Sequence, residues 1–132
     1  MNLNILLVED SPHDVVFIST ALKQSSLQSN LSVVSSGKDC IKYLAKTIPD
    51  LIILDINMPV MDGIEVLKNI KTDPIYKRIP VVILTSSQEK HDILAAFDNY
   101  ANSYVIKPMD IQSYFDAIKE IEKFWTLISE TP

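Results

Sequence analysis

The sequence predicts an α/β domain on a five-stranded, mostly parallel sheet wound with helices on both faces. Strand-sized apolar runs alternate five times with segments of helical period, the pattern of βαβ units. Four of those runs end on polar residues of different chemical kinds. They are Ile5-Leu6-Leu7-Val8 before Glu9-Asp10, Leu51-Ile52-Ile53-Leu54 before Asp55, Val81-Val82-Ile83-Leu84 before Thr85, and Tyr104-Val105-Ile106 before Lys107. The length, 132 residues with 47% hydrophobic content, suits one domain with a core of its own.

The elements follow in order. After the first strand comes a helix with Ser11 as N-cap, Pro12 at its first position and Asp14 three residues beyond the cap. It carries Val15, Ile18 and Leu22 on one face. Leu31 to Val34 is the second strand. Gly37 then precedes a helix with Ile41, Leu44 and Ala45, and Pro49-Asp50 punctuates before the third strand. Beyond Asp55 a loop from Ile56 to Met61 leads to Asp62-Gly63 and a helix through Ile64, Leu67 and Ile70, broken by Thr72-Asp73-Pro74. Pro80 opens the fourth strand. Gln88 to Tyr100 reads as a helix with Ile93, Phe97 and Tyr100 on one stripe. The last helix starts near Asp110 and is expected to present Ile111, Phe115, Ile118, Ile121, Trp125 and Ile128 inward. Phe124 and Leu127 fall outside that stripe and, with Tyr100 and Tyr104, make a candidate apolar patch for a partner or a second copy. No linker, repeat or low-complexity tract interrupts the pattern. The expectation is a single domain over residues 1–132 with no output domain.

Composition removes several function classes. The formal net charge is −5, and Lys77-Arg78 is the only adjacent basic pair, so no basic stripe for nucleic acid exists. No apolar run approaches the roughly 20 residues of a membrane helix, and Met1 to Asn4 lack the basic start of a signal peptide. Cys40 is the only cysteine, which rules out an internal disulfide and makes the cytoplasm the expected compartment. Cys40 reads as a small core residue. His13 and His91 read as exposed helix residues, with no Cys or His neighbour at metal-ligand spacing.

If the polar-ended runs are neighbouring parallel strands, three carboxylates, a hydroxyl and an ammonium meet at one sheet edge, where open α/β sheets bind ligands. Glu9, Asp10 and Asp55 crowded together repel one another unless a cation shares the site. A small set of carboxylate and carbonyl oxygens suits Mg²⁺. The reading assigns Asp10 and Asp55 as direct ligands, the Asn57 backbone carbonyl as a further one, and Glu9 as a ligand through water. Asp55 follows the most uniformly apolar run, which places it at the sheet centre, and a carboxylate there can attack phosphorus. Lys107 supplies a positive charge and Thr85 a hydroxyl to the phosphoryl oxygens.

These residues bring the sequence close to a known family. Ile5 to Ser11, Leu54-Asp55-Ile56-Asn57-Met58-Pro59, Met61-Asp62-Gly63, Leu84-Thr85-Ser86 and Tyr104-Val105-Ile106-Lys107-Pro108 together resemble the receiver domain of two-component response regulators. The spacings fit as well, with 30 positions from Asp55 to Thr85 and 22 from Thr85 to Lys107. The resemblance implies a flavodoxin-like (βα)5 fold with strand order 2-1-3-4-5. It implies that Asp55 accepts a phosphoryl group from a phosphohistidine on a sensor histidine kinase or phosphotransfer protein. It further implies a two-state switch in which Thr85 moves toward the phosphoryl group and Tyr104 turns inward, reshaping the face of the fourth helix, fifth strand and fifth helix. Asn57 and Ser87 occupy positions that in this family tune hydrolysis of the acyl phosphate, and a cis Lys107-Pro108 bond is implied too. Two departures stand out. Glu9 is found where Asp is commoner. Asn99-Tyr100-Ala101 replaces the usual Gly after the fourth helix, so Asn99 or Tyr100 must take a left-handed cap. The Glu-Asp-Ser-Pro start, Asn102-Ser103-Tyr104 and Phe124-Trp125 are similar to small stand-alone regulators paired with bacterial phytochromes. That similarity implies a light-regulated kinase as partner and a homodimer through the signalling face.

Competing readings are a phosphatase of the haloacid dehalogenase type, a flavin-binding protein and a phosphorylation-independent scaffold. The first would need an acid where Asn57 stands. The second would need a phosphate loop the chain lacks. The third leaves a complete phosphoryl site without a purpose.

Overall fold

Uniformly apolar, β-branched runs are what a parallel sheet covered on both faces demands. In the computed structural model, which describes residues 2–128, those runs become β1 (Asn4–Val8), β2 (Asn30–Val34), β3 (Leu51–Leu54), β4 (Val81–Thr85) and β5 (Ser103–Ile106). All pair in parallel, in the order β2-β1-β3-β4-β5. Every residue of β3 and β4 is buried, as their central places require. The register sets Val8 beside Leu54, Leu54 beside Ile83 and Thr85 beside Ile106. The residues that follow these strands are therefore delivered to one rim.

The helices are α1 (Pro12–Gln24), α2 (Gly37–Leu44), α3 (Gly63–Thr72), α4 (Lys90–Asp98) and α5 (Ile111–Ile128). Alternate strand side chains point to opposite faces. Leu6, Val8, Ile52, Leu54, Val81 and Ile83 pack with α2, α3 and Ala96 of α4. Ile5, Leu7, Ile53, Val82 and Leu84 pack with α1 and α5. The sheet is doubly wound.

Local signals account for most boundaries, and the differences lie in the last two helices and the segments beside them. Helix α4 covers Lys90–Asp98, shorter than the expected Gln88 to Tyr100, and Phe97 and Tyr100 are exposed. Its buried residue is Ala96; of the expected stripe Ile93 is half-buried, and Phe97 and Tyr100 face outward. On α5 the inward face is Tyr114, Ile118, Ile121 and Glu122. Ile111 and Ile128 are exposed, because the first and last turns of an 18-residue helix project past the sheet it covers. Asn99 is not left-handed; Tyr100 takes that conformation, at φ 67°. In addition, the Lys107–Pro108 peptide bond is trans, contrary to expectation.

Two polar fasteners matter later. Lys71 of α3 donates from Nζ to the carbonyls of Ile79 (2.7 Å) and Lys77 (3.3 Å) and to Oδ1 of Asn102 (3.1 Å). That same Asn102 oxygen accepts from the backbone N–H of Val81, the first residue of β4, at 2.8 Å. Glu122 of α5 is fully buried and accepts from the Ser29 hydroxyl just before β2. Its other oxygen has no hydrogen-bond partner among the described residues.

Candidate functional site

The rim at the carboxyl ends of β1, β3, β4 and β5 gathers the polar residues the strand ends predicted. The backbone ladder runs one residue past the strands. Glu9 N–H donates to Val34 O, Asp55 N–H to Val8 O and Lys107 N–H to Thr85 O, at 2.8 to 3.1 Å. Each side chain thus leaves from a fixed backbone. Carboxylate oxygens of Glu9, Asp10 and Asp55 lie within 4.8 Å of one another. Glu9 and Asp55 are buried and Asp10 is exposed. An oxygen-only set of this kind, open on one side, could hold a hard divalent cation.

Lys107 is the hub. Its Nζ reaches Glu9 Oε1 at 2.7 Å, Asp55 Oδ2 at 3.1 Å and Asp14 Oδ2 at 3.1 Å. The contacts with Glu9 and Asp55 are hydrogen bonds, and the Asp14 carboxylate completes the ion-pair cluster. Burial alone would lower the Lys107 pKa, but the Glu9 and Asp55 carboxylates outweigh it and hold the ammonium well above its ordinary range. Burial pushes the Glu9 carboxyl up to about 7, an effect the Lys107 hydrogen bond only partly offsets and the nearby Asp55 reinforces.

Gly63 shapes the floor of the site. It opens α3 behind the Asp62 N-cap, and its N–H donates to Ile56 O at 3.0 Å. A Cβ there would lie 2.4 Å from the Asp55 carbonyl oxygen and from Ile56 Cα, so the close approach needs glycine even without positive φ. The loop above it is held locally, with the Asn57 N–H donating to Asp55 Oδ1 at 3.0 Å.

Thr85 is fully buried and joins the group through a neighbour. Its Oγ1 accepts from the Asn57 amide at 3.3 Å and from the Ser87 N–H at 3.4 Å. Tyr104 is half-buried and donates its hydroxyl to Ser87 O at 2.9 Å, so the loop from Thr85 to Ser87 links the two side chains. Burial raises the Tyr104 pKa.

The sequence pattern did not reveal the role of Asp14. At capping-box spacing its carboxylate should turn back to the cap; instead only its N–H donates, to Ser11 Oγ, and Glu9 Oε2 accepts the Ser11 N–H. The freed carboxylate forms an ion pair with Lys107 and accepts from the Tyr114 hydroxyl at 2.7 Å. Burial would raise the Asp14 pKa, but hydrogen bonds from Tyr114 and Lys107 hold it below the ordinary carboxylate range. One signal was available. A carboxylate in the first turn of a helix that opens at this rim faces back toward it. His13, by contrast, is exposed and takes no part.

The response regulator receiver domain family matches residues 5–119. This chain belongs to it. The receiver domain is similar to the response regulator Rcp1 of Synechocystis sp., 38% identical over 128 residues that cover 92% of this chain and 87% of that protein. Among solved structures it resembles the phosphorylated cyanobacterial phytochrome response regulator RcpA, with a TM-score of 0.93, 37% identity and coverage of 100% of this chain and 99% of that one. It also resembles the Mn²⁺-bound form of Rcp1, with a TM-score of 0.91, 36% identity and coverage of 98% and 99%. The strand order and five covering helices are those of the flavodoxin-like receiver fold. The receiver domain is a response regulator of two-component signalling. Among the described residues no helix is long and apolar enough to cross a membrane.

Proposed function

We propose that Asp55 is the phosphoacceptor and that this receiver domain takes its phosphoryl group from a sensor histidine kinase or phosphotransfer protein. The observation that carries the reading is Lys107 Nζ held at once by Glu9 and Asp55 beside the exposed Asp10 carboxylate. An Asp55 oxygen attacks phosphorus and forms the O–P bond of an acyl phosphate. The P–N bond to the donor imidazole breaks, its electron pair goes to the nitrogen that carried phosphorus, and the proton on the other ring nitrogen lets the imidazole leave neutral. Lys107 steadies the negative charge on the phosphoryl oxygens, and positioning rather than new covalent chemistry does most of the work. Mg²⁺ would be held by Asp10, Asp55, the Asn57 carbonyl and, through water, Glu9; it would neutralise charge between carboxylate and phosphoryl oxygens. The three clustered carboxylates and the Mn²⁺-bound relative support a divalent ion here.

The chain's only covalent chemistry is on itself, gaining and losing one phosphoryl group. Thr85 and Tyr104 carry the switch, and their shared contact with Ser87 supports that pairing. The output face is α4, β5 and α5, where Leu94, Phe97, Tyr100, Phe124 and Leu127 are exposed. A second copy of the chain docks on that face. The similarity to phytochrome regulators favours a phytochrome-type kinase as donor. The protein works in the cytoplasm, in keeping with its buried free thiol, Cys40.

The test is incubation with Mg²⁺ and a small acyl-phosphate donor, followed by intact mass. One hydroxylamine-labile phosphoryl adduct is expected, absent in Asp55→Asn and absent with chelator. An unmodified wild-type protein defeats the reading. Donor turnover without an adduct replaces it with a phosphatase. Sedimentation with and without a phosphoryl mimic tests the dimer, which fails if both states stay monomeric.

A further inference from the structure

Three carboxylates surround Lys107 Nζ: Glu9 at 2.7 Å, Asp55 at 3.1 Å and Asp14 at 3.1 Å. Their chemistry divides them. Asp55 is the group that acylation consumes, and a phosphoryl oxygen then takes the place of its carboxylate oxygen at Nζ. Glu9 belongs with Asp10 and Asp55 to the set whose oxygens lie within 4.8 Å of one another, the set that suits a divalent ion. Asp14 lies outside that set. It comes from the first turn of α1 and is held from the other side, with Oδ1 accepting from the Tyr114 hydroxyl at 2.7 Å and Oδ2 facing Lys107. Tyr114 is itself buried on α5, its ring 5.8 Å from that of Phe17 on α1.

Lys107 and a divalent ion would draw on the same oxygens. Glu9 and Asp55 cannot serve both fully, and two cations at close range repel each other. The Lys107 side chain is only 8% exposed, so an ammonium deprived of Glu9 and Asp55 becomes a buried charge without a partner, which is costly. Asp14 is the anion that remains. An ammonium seated there stays within reach of the place where the Asp55 oxygen gives way to a phosphoryl oxygen, since Nζ contacts both carboxylates at once, at 3.1 Å each.

We propose that Asp14 is a positioning residue, the seat that keeps Lys107 at the phosphoryl site once Glu9 and Asp55 turn to the metal, and that Tyr114 holds Asp14 in place for this. The role rests on Asp55 being the phosphoacceptor, but the seat is filled before any phosphoryl group arrives. Asp14 acts through Lys107 and not on the phosphoryl group. Its signature is therefore conditional. Loss of Asp14 frees Lys107 in the metal-bound protein and not in the metal-free one, where Glu9 and Asp55 still accept its hydrogen bonds.

The test is limited acetylation of lysines with acetic anhydride, read by peptide mass mapping. It is run on the wild-type protein, Asp14→Asn and Tyr114→Phe, each in chelator and in saturating Mg²⁺. An ammonium held by a carboxylate is slow to lose the proton that acetylation requires, so the Lys107 rate relative to the exposed Lys123 reports its seat. The wild type is expected to be slow in both conditions. Asp14→Asn is slow in chelator and about fivefold faster in Mg²⁺, the scale of a partly screened ion pair. Tyr114→Phe rises less, and only in Mg²⁺. Faster labelling of Asp14→Asn in both conditions marks a merely structural part of the rim, and a rate equal to the wild type in Mg²⁺ means Lys107 is seated by another group. Either result overturns the proposal, as does a wild-type Lys107 that becomes fast in Mg²⁺. A Tyr114→Phe rate matching the wild type removes Tyr114 from it. Calorimetric titration with beryllium trifluoride, a phosphoryl mimic, is the second arm. Loss of a negative charge alone would tighten binding of this anion, whereas an unseated Lys107 weakens it about fivefold in Asp14→Asn. Equal or tighter binding overturns the proposal. A wild-type protein that fails to bind the mimic, while its lysine map behaves as stated, defeats the phosphoacceptor reading and leaves the seat of Lys107 standing.

Discussion

Replacing Gly63 with alanine probes how tightly the acidic rim is built. The new methyl would sit 2.4 Å from both the Asp55 carbonyl oxygen and Ile56 Cα, where ordinary contact begins at 3.4 Å. The shortfall is about 1 Å against two backbone atoms, and no rotamer change relieves it. Overpacking of this kind costs about 1–3 kcal/mol. It is opposed by about 0.4–1 kcal/mol from a less flexible unfolded chain. The net loss of stability is therefore modest, on the order of 1 kcal/mol. The larger consequence is for Asp55, whose backbone must move by up to about 1 Å, a displacement that costs roughly a hundredfold in rate where positioning dominates. Urea denaturation measures the first effect, and the initial rate of acyl-phosphate labelling by intact mass measures the second. A variant as stable and as quickly labelled as the wild type would refute the argument and show that the floor of the site yields freely.

Further expectations follow from individual residues. Tyr100 is left-handed at φ 67° and 75% exposed, so Tyr100→Gly relieves strain at little loss of packing and should raise stability by about 1 kcal/mol in thermal melts; a lower melting temperature contradicts this. Ser29→Ala removes the hydrogen bond that Ser29 donates to the fully buried Glu122 and should destabilise by about 1–3 kcal/mol in urea, against no change if that side chain finds water instead. Glu9 keeps its proton in the folded protein up to about pH 7, whereas the unfolded chain loses it near 4.5. The folded state thus binds more protons across that window, and this group's contribution to metal-free stability falls as pH rises from about 4.5 to about 7. Melts in chelator should show that decline steepened relative to Glu9→Gln, and parallel curves would remove Glu9 as its source.

The sheet could be read from the sequence because its signal is redundant. Leu51 to Leu54 and Val81 to Leu84 are apolar at every position, and only burial on both faces explains that. The chemistry of the rim could be read because strand ends fix where side chains emerge, so Glu9, Asp10, Asp55, Thr85 and Lys107 needed only the right strand order. Helix faces were harder. Ile111 and Ile128 match the period of α5 but extend past the sheet, and periodicity carries no information about where a covering surface stops. Tyr114 and Glu122 have polar atoms and do not read as core residues, yet each is buried with a hydrogen bond to a residue 100 or 93 positions away, respectively. Asp14 was hidden by a local motif that accounted for its backbone and left its side chain free. Tyr100 shows the opposite case, since the missing glycine after α4 was itself the signal of a strained cap.

The rim opposite the acidic pocket is tied down by Lys71. All its hydrogens are engaged, two on carbonyls leading into β4 and one on the Asn102 amide oxygen that also anchors the first N–H of that strand. Burial depresses the pKa of this amine, a sign that its surroundings are part of the framework and not open solvent. The entry of β4 is therefore fastened to α3 and to the residue before β5, at the far end of the strand from the acidic rim. A rearrangement begun beside Asp55 then falls on the loops at the rim, like a hinge whose pin lies on the far side of the door.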